Sequence, residues 1–77
     1  MAAIVYFEKT AEDDERVTYR CGLKEGAWER SFAFIKADRM LAGDLGPVPF
    51  RVQLAATGVL RAHRTLGRWP ERGAGVT

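Results

Sequence analysis

The sequence predicts an α+β fold, in which a three-stranded antiparallel meander is followed by one C-terminal amphipathic helix packed on one face of the sheet. The meander is predicted because three segments rich in β-forming residues are separated by two short links in the first half of the chain. The helix is predicted because the second half holds one long segment whose polar side chains recur at helical spacing. A chain of 77 residues has room for one small domain, residues 1–77.

The first two strands are expected over residues 2–9 and 16–23. Residues 2–9 are apolar on both faces of a strand, which is typical of a strand that is covered on both sides. An acidic connection, Thr10–Glu15, follows the first strand. Residues 16–23 alternate in polarity, and the side chains expected to face inward are Val17, Tyr19, Cys21 and Leu23.

The third strand is expected over residues 27–37, after a short turn bounded by glycines. Its alternation is imperfect, because Arg30 and Lys36 fall on the same face as three aromatic side chains. Either both cations lie at the rim of the sheet, or a β-bulge near Arg30–Ser31 resets the alternation. Aromatic and basic residues together are also found on sheets that stack nucleic-acid bases, but a small domain needs its large aromatic side chains inside, so we prefer the core interpretation. These aromatic residues are Trp28, Phe32 and Phe34.

An irregular loop rich in glycine and proline, residues 38–49, leads to a helix over residues 50–66. A competing strand pattern covers residues 48–54, and Gly58 weakens the helix by about 1 kcal/mol relative to alanine. We prefer the helix because the helical periodicity continues beyond that glycine. The tail, residues 67–77, begins with a glycine suited to capping the helix, and its last residues are expected to be frayed.

Composition limits the classes of function. The formal net charge of +2 is too small to indicate nucleic-acid binding by itself, although residues 51–77 hold five arginines and one glutamate. Cys21 is the only cysteine and cannot form an internal disulfide, which predicts a reducing, cytoplasmic setting. The apolar opening Met1–Phe7 is too short to span a membrane and has no basic leader, so no membrane partner is expected.

A polar stripe along the predicted helix is the most organised charge pattern of the chain. At about 100° per residue, one side of the helix presents Gln53, Thr57, Arg61, Arg64 and Arg68. The three arginines are candidates for nucleic-acid binding, because a guanidinium group pairs with phosphate oxygens in a planar, bidentate way. The alternative is an ordinary solvated helix face.

Apolar side chains beside this stripe predict a protein-interaction surface. Phe50, Leu54 and Leu60 flank the stripe instead of joining the face rich in alanine and valine, so they stay exposed unless something covers them. Trp69, just after the helix, either folds back onto it or anchors a partner. Together with the thin core of a short chain, these residues predict self-association into a homo-oligomer or binding to another protein.

The sequence holds none of the residue patterns that carry catalysis or bind a cofactor. The acidic run Glu12–Glu15 lacks the spacing of a calcium loop, and His63 has no second ligand at metal-binding spacing, so neither a metal nor a cofactor is expected. We therefore interpret the chain as a non-enzymatic interaction or accessory module, with nucleic-acid binding through the basic helix face as the alternative. If the helix covers the apolar face of the sheet, Arg16 and Arg20 point the opposite way, which favours the interaction module.

Overall fold

The computed structural model describes residues 4–24, 26–42 and 48–76. It shows an antiparallel sheet with one helix on one of its faces, so the α+β class is confirmed. The sheet has five strands, however, and not the three that the sequence predicts. In chain order the elements are β1 Ile4–Glu12, β2 Arg16–Gly22, β3 Arg30–Ile35, β4 Met40–Leu41, α1 Phe50–Leu66 and β5 Arg72–Val76, and the strand order in the sheet is β4-β3-β2-β1-β5.

The two additional strands lie where the sequence predicts irregular structure. Strand β4 is a two-residue segment inside the expected loop 38–49, of which residues 43–47 lie outside the described part of the chain. Two residues are too few to produce a recognisable alternation of polarity. Strand β5 lies in the tail that was expected to fray, and it pairs with β1 from Ile4↔Val76 to Glu8↔Arg72. Its two glycines lower its intrinsic β-propensity, which is why its sequence, RGAGV, does not resemble a strand.

Contacts with the rest of the fold explain both glycines of β5. A methyl group at position 73 would lie 2.7 Å from the end of the Phe7 ring. At position 75 it would lie 2.6 Å from the carbonyl carbon of Leu54, in the backbone of α1. Gly58 is the helix residue that faces this strand, since a methyl group at position 58 would lie 2.8 Å from the Gly75 Cα. The glycine in the helix and the glycine in the strand therefore allow α1 and β5 to pack backbone against backbone.

The first three strands differ from the expected ranges at their ends. Residues 2–3 of the first expected strand lie outside the described part of the chain, and β1 continues to Glu12, with a bulge between Lys9 and Ala11 in its pairing with β2. Strand β3 begins only at Arg30, and its pairing with β2 is regular from there on. Just before β3 the alternation is nevertheless reset, because the Glu29 N–H donates to the carbonyl of Cys21, the residue that pairs with Arg30. The expected irregularity therefore lies at Glu29–Arg30, at the start of β3, and Arg30 lies exposed at the rim of the sheet.

Helix α1 covers the inner face of the sheet, which we define by the buried side chains of β1, β2 and β3. The helix spans the range expected from the sequence and ends at Gly67, whose φ of 73° is left-handed, so the competing strand interpretation of residues 48–54 is wrong. The buried side chains of the inner face are Val5, Phe7, Val17, Tyr19, Cys21, Phe32 and Phe34, and those of α1 are Val52, Leu54, Ala55, Ala56 and Val59.

Aromatic side chains connect the sheet to the turn between α1 and β5. Trp69 packs on Phe34 with 5.4 Å between ring centroids. His63 stacks on Trp69 with 4.2 Å between their ring centroids. The Tyr19 hydroxyl donates a hydrogen bond of 2.7 Å to the Pro70 carbonyl. Burial raises the pKa of the Tyr19 hydroxyl, so it stays protonated and remains a donor. These contacts fix the reversal of the chain that places β5 beside β1.

Candidate functional site

The polar stripe of α1 faces solvent along its whole length, and Gln53, Thr57, Arg61, Arg64 and Arg68 are all exposed. Its uncharged members are tied to the helix backbone, because the Thr57 hydroxyl donates to the Gln53 carbonyl and the Gln53 amide donates to the Val48 carbonyl. Within residues 4–24, 26–42 and 48–76, none of the three arginines forms an ion pair. Helix α1 itself has no aspartate or glutamate. Its exposed side therefore carries positive charge only.

The sheet arginines lie on the other side of the molecule. Arg16 and Arg20 alternate with the buried residues of β2, so they belong to the outer face of the sheet, the face that points away from α1. Arg20 is held there by an ion pair with Glu8, and its guanidinium carbon lies 4.9 Å from the ring centroid of Trp28. The helix arginines and the sheet arginines therefore do not form one continuous basic surface.

The four residues expected to contact a partner have different environments. Phe50 is exposed, with 60% of its surface accessible, at the first position of α1. Leu60 is partly buried against the core. Leu54 is only 7% exposed and Trp69 only 9%, so the expectation that Leu54 lies at the surface is corrected, and Trp69 folds back into its own chain. Strand β5, which the sequence does not predict, covers the side of α1 on which Leu54 lies.

The outer face of the sheet holds an apolar patch that the sequence interpretation missed. Ile4 and Val76, which are paired across β1 and β5, are 45% and 49% exposed, and Tyr6 is half-buried beside Ala74 in the same register. No helix or strand of the described residues covers this face. The first strand is apolar on both faces, as the sequence indicates, but α1 covers only its inner face. We call Ile4, Tyr6, Ala74 and Val76 the outer patch.

A groove of about 380 Å³ runs between α1 and β5 at the edge of the sheet. Small residues form much of it, which is a direct result of the close packing of the helix on the strand. Among the described residues, Arg61 is the only charged one that lines it, and Leu66, which is 53% exposed, forms part of its wall. The other lining residues are Leu54, Thr57, Gly58, Ala62, Thr65, Ala74, Gly75 and Val76.

Two of the four acidic residues at the connection between β1 and β2 have partners within the chain. Glu12 forms ion pairs with Lys36 and Lys9, each with 2.6 Å between nitrogen and oxygen, and these hydrogen bonds hold the pKa of the Glu12 carboxyl below its ordinary value. The Asp13 carboxylate accepts the backbone N–H groups of Glu15 and Arg16, which closes the turn and lowers the pKa of Asp13. The segment therefore has a structural explanation as a hairpin connection.

Two further observations concern ligands and known proteins. Among the residues that the structure describes, no three His, Cys, Asp or Glu side chains come together in a group that could hold a metal ion. No helix in this part of the chain is both long and apolar enough to cross a membrane. Comparison of the chain with protein-family models, with curated proteins and with solved structures finds no match.

Proposed function

We propose that this protein is a small, non-catalytic interaction or accessory module that self-associates through the outer patch of its sheet. The observation that supports the proposal is the exposed, paired Ile4 and Val76 on a face that no described helix or strand covers. A domain of this size buries only about 60% of the surface of its unfolded chain, so the apolar area that a dimer removes from water is a substantial addition to its stability. Burial of such area contributes about 25 cal/mol per Å².

The charges near the outer patch also favour contact between identical copies. By strand register, Glu8 lies between Arg20 and Arg72 on the outer face. In a two-fold dimer the same surface faces itself, so a surface with both signs can place a carboxylate of one copy against a guanidinium of the other. The exposed side of α1 carries only positive charge and would repel its own copy. The outer face is therefore the better surface for self-association.

The oligomeric state and two matched variants test the proposal. We expect size-exclusion chromatography with light scattering to show a dimer at about 100 μM protein. Ile4→Glu introduces a charge into the outer patch and should give a folded monomer, whereas Phe50→Glu introduces the same charge at the exposed start of α1 and should leave the dimer intact. A monomeric parent protein would reject self-association. If Phe50→Glu alone dissociates the dimer, the helix end and not the outer patch is the interface.

Nucleic-acid binding through Arg61, Arg64 and Arg68 is the second candidate function. It is supported by the exposure of all three side chains and by their lack of ion pairs within the described residues. If the three arginines each contact one phosphate of duplex DNA, the slope of log affinity against log salt concentration is about −2.7. Replacing all three with alanine should abolish binding, and Arg16→Ala on the opposite face should not. Absence of binding to DNA and RNA at about 50 mM salt would exclude this function.

A cytoplasmic location completes the proposal. It is supported by Cys21, which is unpaired and buried on the inner face of the sheet. Burial raises the pKa of its thiol, so the thiolate, which is the form that oxidises, is disfavoured. A thiol of this kind is typical of a protein from a reducing compartment.

A further inference from the structure

We propose that the free edge of β5, with the groove beside it, binds an extended acidic segment of another protein as an additional strand of the sheet. This inference rests on the proposed interaction function and uses the edge of β5 and the α1 side of the sheet, which adjoin the outer patch at Ala74 and Val76.

The hydrogen-bonding pattern leaves one side of β5 open. Among the described strands, β5 pairs only with β1. The Lys9 N–H donates to the Glu71 carbonyl at 2.7 Å, so in the regular antiparallel register that follows, the backbone polar groups of Gly73 and Gly75 face β1 and those of Arg72 and Ala74 face away. An outward row of this kind is the usual template for an added strand.

Few of the features that normally protect an edge strand are found in β5. It is five residues long, has no proline and no bulge in its pairing with β1, and its one charged side chain is Arg72 at its first position. The opposite edge of the sheet is β4, which has only two residues. A very short edge strand offers little backbone for pairing, so β5 is the edge that can accept a partner.

The groove can receive the side chains of an added strand. Every second side chain of such a strand would point to the inner side of the sheet, where α1 stands beside β5. There the small side chain of Ala62 lines the groove, and Leu66 provides exposed apolar surface. The groove therefore favours a segment with apolar residues at alternate positions.

The charge of the groove selects the partner. Within residues 4–24, 26–42 and 48–76, Arg61 is the only charged residue that lines it, and the helix that forms its wall has no acidic residue. A second copy of this chain paired edge to edge through β5 would bring the same basic helix next to itself, which is unfavourable. A segment that carries carboxylates near its apolar residues would instead pair with Arg61. The occupant is therefore an acidic, extended segment of a different protein.

A short acetylated peptide that alternates valine and glutamate is a suitable probe, and nuclear magnetic resonance titration of the isotope-labelled full chain is the assay. We expect the largest amide shifts at Arg72, Ala74 and Ala62. A peptide with lysine in place of glutamate should bind at least 10-fold more weakly. Methylating the peptide nitrogens that would face β5 should abolish binding, whereas methylating the alternate nitrogens should not, and this comparison leaves the protein unchanged.

Two protein variants test the charge. Arg61→Ala should weaken binding of the glutamate peptide about 5-fold, which corresponds to about 1 kcal/mol. Arg68→Ala removes the same charge beyond the end of α1 and should change the affinity less than 2-fold.

Three outcomes would overturn the inference. The first is that the peptide does not bind at about 1 mM. The second is that both methylation patterns reduce the affinity equally. The third is that the amide chemical-shift changes centre on Arg64 and Arg68 and that single-stranded DNA produces the same changes. The last outcome would identify the stripe as a general anion surface. Light scattering on the same samples without peptide reports self-association separately. A dimer that does not bind the peptide would leave the proposed function standing and remove only the edge-binding inference.

Discussion

Replacing Gly75 with alanine tests the contact between α1 and β5. The new methyl group would lie 2.6 Å from the Leu54 carbonyl carbon and 3.2 Å from the Ala55 nitrogen. Both are backbone atoms of the helix, so no side-chain rotation can relieve the contact. The Leu54 carbonyl oxygen would be nearer still, and an ordinary contact begins at 3.4 Å, so the helix and the strand must separate by more than the 0.8 Å that would bring the carbonyl carbon from 2.6 to 3.4 Å.

The expected magnitude follows from two opposing terms. In an open strand, alanine is better than glycine by roughly 0.5–1 kcal/mol, because glycine loses more backbone entropy on folding. Overpacking of a close contact costs about 1–3 kcal/mol, and the upper part of this range, about 2–3 kcal/mol, applies here because the contacts are with helix backbone. We therefore expect Gly75→Ala to lower the free energy of unfolding by about 1–2 kcal/mol. For a domain of this size, that corresponds to a loss of roughly 4–16 °C in melting temperature.

Urea denaturation followed by circular dichroism measures the change, and Gly26→Ala serves as a control. Gly26 has a φ of 83° but no atom within 4 Å of an added methyl group, so its variant isolates backbone strain from overpacking. Gly58→Ala would gain about 1 kcal/mol in helix propensity at an open site, yet here it should also destabilise, because its methyl group would meet Gly75. A Gly75→Ala protein as stable as the parent, or more stable, would refute the packing described for β5.

Three further predictions concern single side chains. Tyr19→Phe removes the hydrogen bond to the Pro70 carbonyl and should lower the free energy of unfolding in urea by about 1–3 kcal/mol, since that carbonyl is left buried without its donor. The folded-state pKa of Glu12 lies below its ordinary value of 4.5, so its ion pairs stabilise the protein above that pH and are lost as the pH falls through the folded-state pKa. Urea titrations at neutral and acid pH should therefore show that Glu12→Gln costs up to about 1 kcal/mol at neutral pH and nothing in acid, and an equal cost at both would contradict the assignment. Cys21 should react with an aromatic disulfide reagent at least 100-fold more slowly in the native protein than in urea, and rapid native labelling would contradict its burial.

Strong periodicity made part of the fold predictable. Helix α1 shows a regular polar stripe opposite alanine and valine, and β2 alternates clearly, so both could be placed from the sequence. Strand β5 could not be placed, because its glycines are required by close contacts with Phe7 and Leu54 that exist only in the folded chain. The low β-propensity of those glycines predicts a frayed tail, and tertiary packing overrides that propensity.

The missed strand also explains the errors at the candidate site. Without β5, Leu54 has no cover and is interpreted as a partner contact, whereas in the fold it is 7% exposed. The apolar faces of the first strand predict cover on both sides, but the single helix covers one side, so Ile4 on the other side is 45% exposed. The charge pattern of α1 is predictable from the sequence, because exposed charges on a helix follow its periodicity directly.

The close approach of Gly58 and Gly75 is the contact from which the edge, the groove and the outer patch all follow. A nuclear Overhauser measurement on the isotope-labelled full chain tests it directly, since a methyl group on Gly58 would lie 2.8 Å from the Gly75 Cα and the Gly58 Hα in its place points the same way. We predict cross-peaks between the Hα protons of these two glycines and between Gly73 and the Phe7 ring. Absence of both, together with random-coil chemical shifts over residues 72–76, would contradict the five-stranded sheet and the surfaces derived from it.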